Sequence, residues 1–171
     1  MKIQLPEPKS ILLVLLLGLL LAVSGCDQRA KVAETESAFM LPEAAAIADF
    51  KLTHVERGEF DLEDARGKWS LLFFGYTHCP DVCPTELFML AEMMRGIESN
   101  SDVKLEAPQV VFVSVDPQRD SLKHLQDYAA FYHPSFVGVT GKQATVDRLC
   151  ESIGVFYERI YHLNGKQVIL G

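Results

Sequence analysis

Residues 69–84, Trp69-Ser70-Leu71-Leu72-Phe73-Phe74-Gly75-Tyr76-Thr77-His78-Cys79-Pro80-Asp81-Val82-Cys83-Pro84, pass from an apolar run into a loop holding two cysteines. Trp69 to Tyr76 has the length of a buried strand. Beyond the loop, Leu87, Leu90, Ala91, Met94 and Ile97 recur at helical spacing. The cysteines therefore sit where a strand hands over to a helix. A helix N-terminus favours the thiolate, and Pro80 and Pro84 stiffen the loop. Thiolate is the reactive form both for disulfide exchange and for binding soft metals. Two residues between the cysteines would read as a redox motif. With three, an intraloop disulfide is still allowed, but there is also room for a bridging ion. Two thiolates are too few for a closed structural zinc site, whereas two thiolates and one imidazole suit Cu(I).

The same alternation continues on either side. Before the central stretch, residues 49–55 alternate in polarity and Gly58 turns the chain into Glu59 to Leu62, which predicts an N-terminal β-hairpin. After it, Gln109 to Val115 reads as a second buried strand closed by Asp116-Pro117. Asp120 is placed to cap a helix whose face is Leu122, Leu125, Ala129 and Tyr132. Phe136 to Val139 is a third strand, and Val146, Leu149, Cys150 and Ile153 form a further helical face. Val155 to Tyr161 is a last strand. Strands alternating with helices imply an α/β fold with a mainly parallel sheet and flanking helices. The chain then ends on Gly165 to Gly171, an apolar run with no closing helix. The expectation is an unfinished sheet with an exposed edge and C-terminal elements missing.

The N-terminus carries an address. Lys2 and Lys9 precede thirteen apolar or glycine residues, Ile11 to Val23, followed by Ser24-Gly25-Cys26. A spanning helix needs ~20 apolar residues, so this is nearer a signal-peptide core. Val23 to Cys26 resembles the bacterial lipobox, which implies that Cys26 carries lipid. Asp27 resembles a signal for retention at the inner membrane. The division expected is a signal peptide with lipobox at 1–25, a tether at 26–46 and one domain at 47–171. Its location would be the cell inner membrane, lipid-anchored and facing the periplasm, an oxidising compartment.

Composition agrees with one exported domain. The chain has 171 residues, 49% hydrophobic, with 16 basic and 23 acidic side chains. Beyond residue 25 the balance is 14 basic against 22 acidic, a poor match for nucleic acid. Four cysteines are too few for a disulfide-framework miniprotein.

Phe73 to Glu86 (FFGYTHCPDVCPTE) resembles the signature of the SCO1/SenC family, copper chaperones of cytochrome c oxidase assembly. Ser114 to Asp120 (SVDPQRD), Gly138 to Gly141 (GVTG) and Gly154 to Tyr157 (GVFY) resemble that family's later motifs in order and spacing. The resemblance implies a thioredoxin-like fold, membrane anchoring, and Cys79 and Cys83 as copper ligands. The cargo would be copper, as Cu(I) or Cu(II), for the dinuclear centre of oxidase subunit II, reached directly or through its assembly factors. The alternative is a membrane-tethered thiol–disulfide oxidoreductase that reduces the partner's copper-ligating cysteines through the same pair. A peroxidase of the same fold lacks support in the sequence. The family's third ligand is a distal His in an Asp-His-Ser context, which this chain does not contain. His162, in Tyr-His-Leu, has the wrong setting.

The remaining candidates read as structural. His78 is expected to hydrogen-bond locally, and His54, His124 and His133 to lie on the surface. Cys150 and Trp69 are expected in the core. Asp116 and Arg119 are expected to pair or to cap the turn after their strand, with a role near the site open to them. Asp102, Lys104 and Glu106 look like a solvated loop.

Overall fold

A computed structural model describes residues 41–100, 106–161 and 167–170. The segment read as a signal peptide, Cys26, most of the expected tether, Asp102, Lys104 and His162 lie outside the described residues. The unit Ala45–Gly171 carries the fold. Residues 41–46 are exposed and without regular structure, and among the described residues Phe50 is the first buried side chain.

The expected hairpin is formed by β1 (Leu52–His54) and β2 (Gly58–Phe60), antiparallel, with Gly58 in the left-handed region at φ 79°. A short 3-10 turn at Leu62–Ala65 follows, capped by Asp61. Three strands then make the parallel sheet in the order β3 (Ser70–Gly75), β4 (Gln109–Ser114), β5 (Val137–Val139). Helix α1 (Val82–Ser99) joins β3 to β4, α2 (Leu122–Tyr132) joins β4 to β5, and α3 (Gln143–Ser152) follows β5.

β4 explains the layering. Its residues alternate between two faces and are buried on both, as expected of an apolar run at the centre of a parallel sheet. Val110 and Phe112 pack with Leu87, Ala91 and Met94 of α1 and Leu125 and Ala129 of α2. Val111 and Val113 face the other way, onto Phe50, Leu52 and Phe60 of the hairpin and Val146, Leu149 and Cys150 of α3. Thr53 and Thr140 exchange backbone hydrogen bonds at 2.7 and 3.2 Å, which pins the hairpin beside the end of β5. Cys150 is thus a core residue as expected.

Three expectations need correction here. Residues 155–161 do not enter the parallel sheet. Gly154 turns the chain at φ 75°, Val155 and Tyr157 lie against the hairpin-side core, and the Tyr157 hydroxyl bonds to Asp147 and to Gln143 of α3. Only Glu158–Tyr161 (β6) is strand, paired antiparallel with Gln167–Leu170 (β7). Trp69 is 78% exposed: its carbonyl accepts from Gln109 N at 2.9 Å, but it lies one residue before the paired strand, beyond the packed layers. Asp120 does not cap α2. Ser121 does, accepting from His124 N at 3.3 Å.

Candidate metal centre

The loop 76–81 leaves the C-terminal end of β3 and is drawn against β4 by Asp120. This carboxylate is buried and accepts from Thr77 N at 3.0 Å, Thr77 Oγ1 at 2.6 Å and Ser114 Oγ at 2.6 Å. Three donors on one carboxylate offset the cost of burying it. Asp120 closes the stretch Ser114 to Asp120 (SVDPQRD). Its partner Thr77 lies 43 positions away, so only the folded chain reveals this role.

Cys79 and Cys83 are free thiols brought together by the first turn of α1. Cys83 N donates to Cys79 Sγ at 3.4 Å. Asp81, the residue before α1, makes no side-chain cap, so the sulfur of Cys79 stands where a capping oxygen usually stands. Burial acts to raise the Cys79 thiol. It is outweighed by the backbone N–H groups of Asp81, Val82 and Cys83 and by the Cys83 thiol, all directed at the sulfur, and the net direction is downward. Cys83 goes the other way, pushed up to about 12 by burial first and by its hydrogen bond to Cys79. The pair is therefore asymmetric: a half-exposed sulfur poised to ionise beside a buried one that keeps its proton.

Gly75 sets how close Cys83 can come to the sheet. A Cβ at this position would lie 2.9 Å from Cys83 Sγ and 2.9 Å from Phe112 Cε2. The next residue, Tyr76, carries a hydroxyl raised first by burial and then by the charge of the two cysteines. Arg119 sits 5.7 Å from the centre of its ring and pairs with buried Asp116, as expected of that turn. A cleft of about 550 Å³ opens over the sulfurs, walled by Gly75, Tyr76, Val82, Val115, Phe156 and Tyr157. Val82 and Phe156 are 59% and 84% exposed, so the lip is apolar. A second cleft, of about 450 Å³, lies by Lys51, Arg66 and Arg148 and has no sulfur donor.

The histidines divide differently from the expectation. His54 is buried, not on the surface: its Nδ1 accepts from Glu56 N and Arg57 N at 3.0 Å, and Nε2 meets Gln126 Oε1 at 2.9 Å. His133 is buried too, between Ser135 and Glu98. Both rings have polar partners on both nitrogens, which is what permits their burial. His124 is exposed as expected, and His78 bonds locally, its Nδ1 3.1 Å from Thr77 Oγ1. Among the described residues no cluster of three or more His, Cys, Asp and Glu side chains could hold a metal. The two sulfurs are thus a two-donor site, open on the cleft side, whose chemistry fits a soft ion of low coordination number.

Comparison with known proteins agrees with this geometry. Residues 40–169 match the SCO1/SenC family. The chain is 37% identical to the mitochondrial SCO1 homolog 1 of Arabidopsis thaliana over 67% of its own length and 33% of that protein's, so it spans about a third of that relative. Among solved structures, Arabidopsis thaliana ScoI with copper bound superposes with a TM-score of 0.64 at 32% identity, covering 72% of this chain and 74% of that one. Bradyrhizobium japonicum ScoI with copper bound gives 0.64 at 32%, covering 73% and 77%. The parallel sheet with helices on both faces, and the cysteine loop at a strand–helix junction, is the thioredoxin-like fold expected from the sequence.

Proposed function

Since the chain belongs to the SCO1/SenC family, we propose that it is a copper metallochaperone that takes Cu(I) on Cys79 and Cys83. It would deliver the ion to the dinuclear copper centre of cytochrome c oxidase subunit II. The observation that carries this reading is the sulfur pair at the start of α1, with Cys79 turned toward the thiolate and Cys83 close enough to bond to it. Thiolates are the donors that select Cu(I), and two of them on an open cleft leave the ion accessible to a partner's ligands. Relatives solved with copper bound support it. The apolar lip at Val82 and Phe156 would exclude water where the partner docks. We place the protein at the inner membrane, held by lipid on Cys26 and facing the periplasm, on the strength of the N-terminal sequence.

Cys83 holds its proton up to about pH 12, so taking up the ion must expel it. Each proton released makes the apparent affinity rise about tenfold per pH unit. Between pH 6 and 8, copper affinity should therefore climb by at least about a hundredfold, read by competition with a chelator of known pH behaviour. The reduced protein should retain one copper per chain in that competition, and Cys79→Ser should abolish it.

The asymmetry of the pair favours a second reading, a thiol–disulfide oxidoreductase that prepares the partner's cysteines. Cys79 would attack a partner disulfide and release one partner thiolate. Cys83, losing its proton, would then attack Cys79 and release the other, leaving Cys79 and Cys83 oxidised and the partner reduced by two electrons. If copper is lost at once to the chelator while a model disulfide is reduced stoichiometrically, this reading replaces the first.

A further inference from the structure

Beside the sulfur pair, two exposed imidazoles face each other: the ring centroids of His78, on the loop after β3, and His124, in the first turn of α2, are 6.3 Å apart and tilted by 54°. Neither belongs to the thiolate site, and His124 makes no side-chain hydrogen bond among the described residues. We propose that His78 and His124 form a second metal site, for a borderline divalent ion such as Cu(II) or Zn(II), independent of the thiolate pair.

The tautomer of His78 is set by its neighbours. Thr77 Oγ1 lies 2.6 Å from Asp120 Oδ1, and its single proton goes to that carboxylate. The hydroxyl can then only accept from His78 Nδ1, 3.1 Å away, so Nδ1 carries the ring proton. The same nitrogen is 3.4 Å from Asp120 Oδ1. Nε2 is left with its lone pair on the far side of the ring, whose side chain is 52% exposed. A ligating histidine that donates through its other nitrogen toward a held carboxylate is the usual outer arrangement of a metal site. Here the carboxylate is buried Asp120, itself fixed by Thr77 and Ser114.

The spacing fits. With metal–nitrogen bonds of about 2.0–2.1 Å, two imidazoles on one ion place their centroids roughly 5–6.5 Å apart. The 6.3 Å separation lies at the wide end of that range, where the two ring nitrogens bind on nearly opposite sides of the ion. Two imidazoles with water completing the shell suit Cu(II), Zn(II) or Ni(II) rather than Mg²⁺. The other described histidines cannot substitute, since His54 and His133 are buried and already engaged.

The test uses the full chain with Cys79→Ser and Cys83→Ser, titrated with Cu(II) and followed by electron paramagnetic resonance. One Cu(II) per chain with hyperfine coupling to two imidazole nitrogens is expected. Both His124→Ala and His78→Ala should weaken binding at least tenfold, and His162→Ala should leave it unchanged. A second chain with Cys79→Ala and Cys83→Ala, which puts no hydroxyl at the buried position, should titrate in the same way and covers the case in which the serine variant fails to fold. Binding that survives His124→Ala, falls with His162→Ala, or shows no nitrogen coupling overturns the proposal. None of these outcomes depends on Cu(I) binding, so the thiolate reading stands or falls separately.

Discussion

Helices α1 and α2 begin in equivalent places, each just past the C-terminal end of a parallel strand, and they end their strand-to-helix loops in opposite ways. α2 is capped by an oxygen: Ser121 accepts from His124 N at 3.3 Å. α1 has no such oxygen, and its free N–H groups are directed at the sulfur of Cys79. The backbone problem is the same, because the first N–H groups of any helix lack partners. An oxygen solves it and leaves nothing reactive. A sulfur solves it while its own ionisation is favoured by the same dipoles, so the capping position becomes a donor site. The difference between a structural junction and a chemical one is here a single atom type.

Cys79→Ser breaks that comparison most sharply. The serine oxygen can still accept from the N–H groups of α1, so folding stability should change by under about 1 kcal/mol. Copper retention should be lost outright, because a neutral hydroxyl is a poor donor for a soft ion. Thermal unfolding and copper analysis on the same sample separate the two effects. A large loss of stability would mean that the sulfur does more for the helix than cap it.

Next comes Gly75→Ala. The added Cβ would lie 2.9 Å from Cys83 Sγ and from Phe112 Cε2, so either the ring or the cysteine must give way. Overpacking of this kind costs about 1–3 kcal/mol. A fall in melting temperature of roughly 3–15 °C is expected, with weaker copper retention because the buried donor is displaced. Unchanged copper affinity would show that the pair tolerates a shift of Cys83.

Much of this was legible in the sequence because it is local. The apolar run of β4, the strand–loop–helix order around Cys79 and Cys83, and Cys150 on its helical face all follow from spacing within about ten residues. What escaped is satisfied at long range. His54 is buried because Gln126, 72 positions on, meets its Nε2. Asp120 reads as a helix cap until Thr77, 43 positions before it, is seen to donate to it twice. The exposure of Trp69 depends on where the layers end, which no periodicity encodes. Residues 155–157 look like a strand by composition, and the hydroxyl of Tyr157 ties them to α3 instead.

Asp120→Asn tests the link between the two junctions, since this residue precedes α2 and holds the loop that leads to α1. An amide puts an N–H group at one of the two oxygen positions, so the Thr77 hydroxyl must turn to accept, and the charge that strengthens the bonds from Thr77 N and Ser114 Oγ is lost. Weakening a buried charge-assisted network of that sort costs about 1–3 kcal/mol. The β3–α1 loop should also exchange its amide hydrogens faster than the rest of the sheet. Protection that falls evenly over the sheet would mean that Asp120 supports the fold as a whole and not this loop.

Ser121→Ala should have the smallest effect and is the counterpart of Cys79→Ser. It removes the oxygen cap of α2, which is worth about 1 kcal/mol, and should lower the melting temperature by roughly 3–5 °C. Copper retention should be unchanged, because the α2 cap touches neither sulfur. The two substitutions together make a crossed comparison: one keeps the cap and loses the donor, the other loses the cap and keeps the donor. If Ser121→Ala also weakened copper binding, the two junctions would be mechanically coupled through Asp120. The sulfur pair would then owe its geometry to the second loop as well as the first.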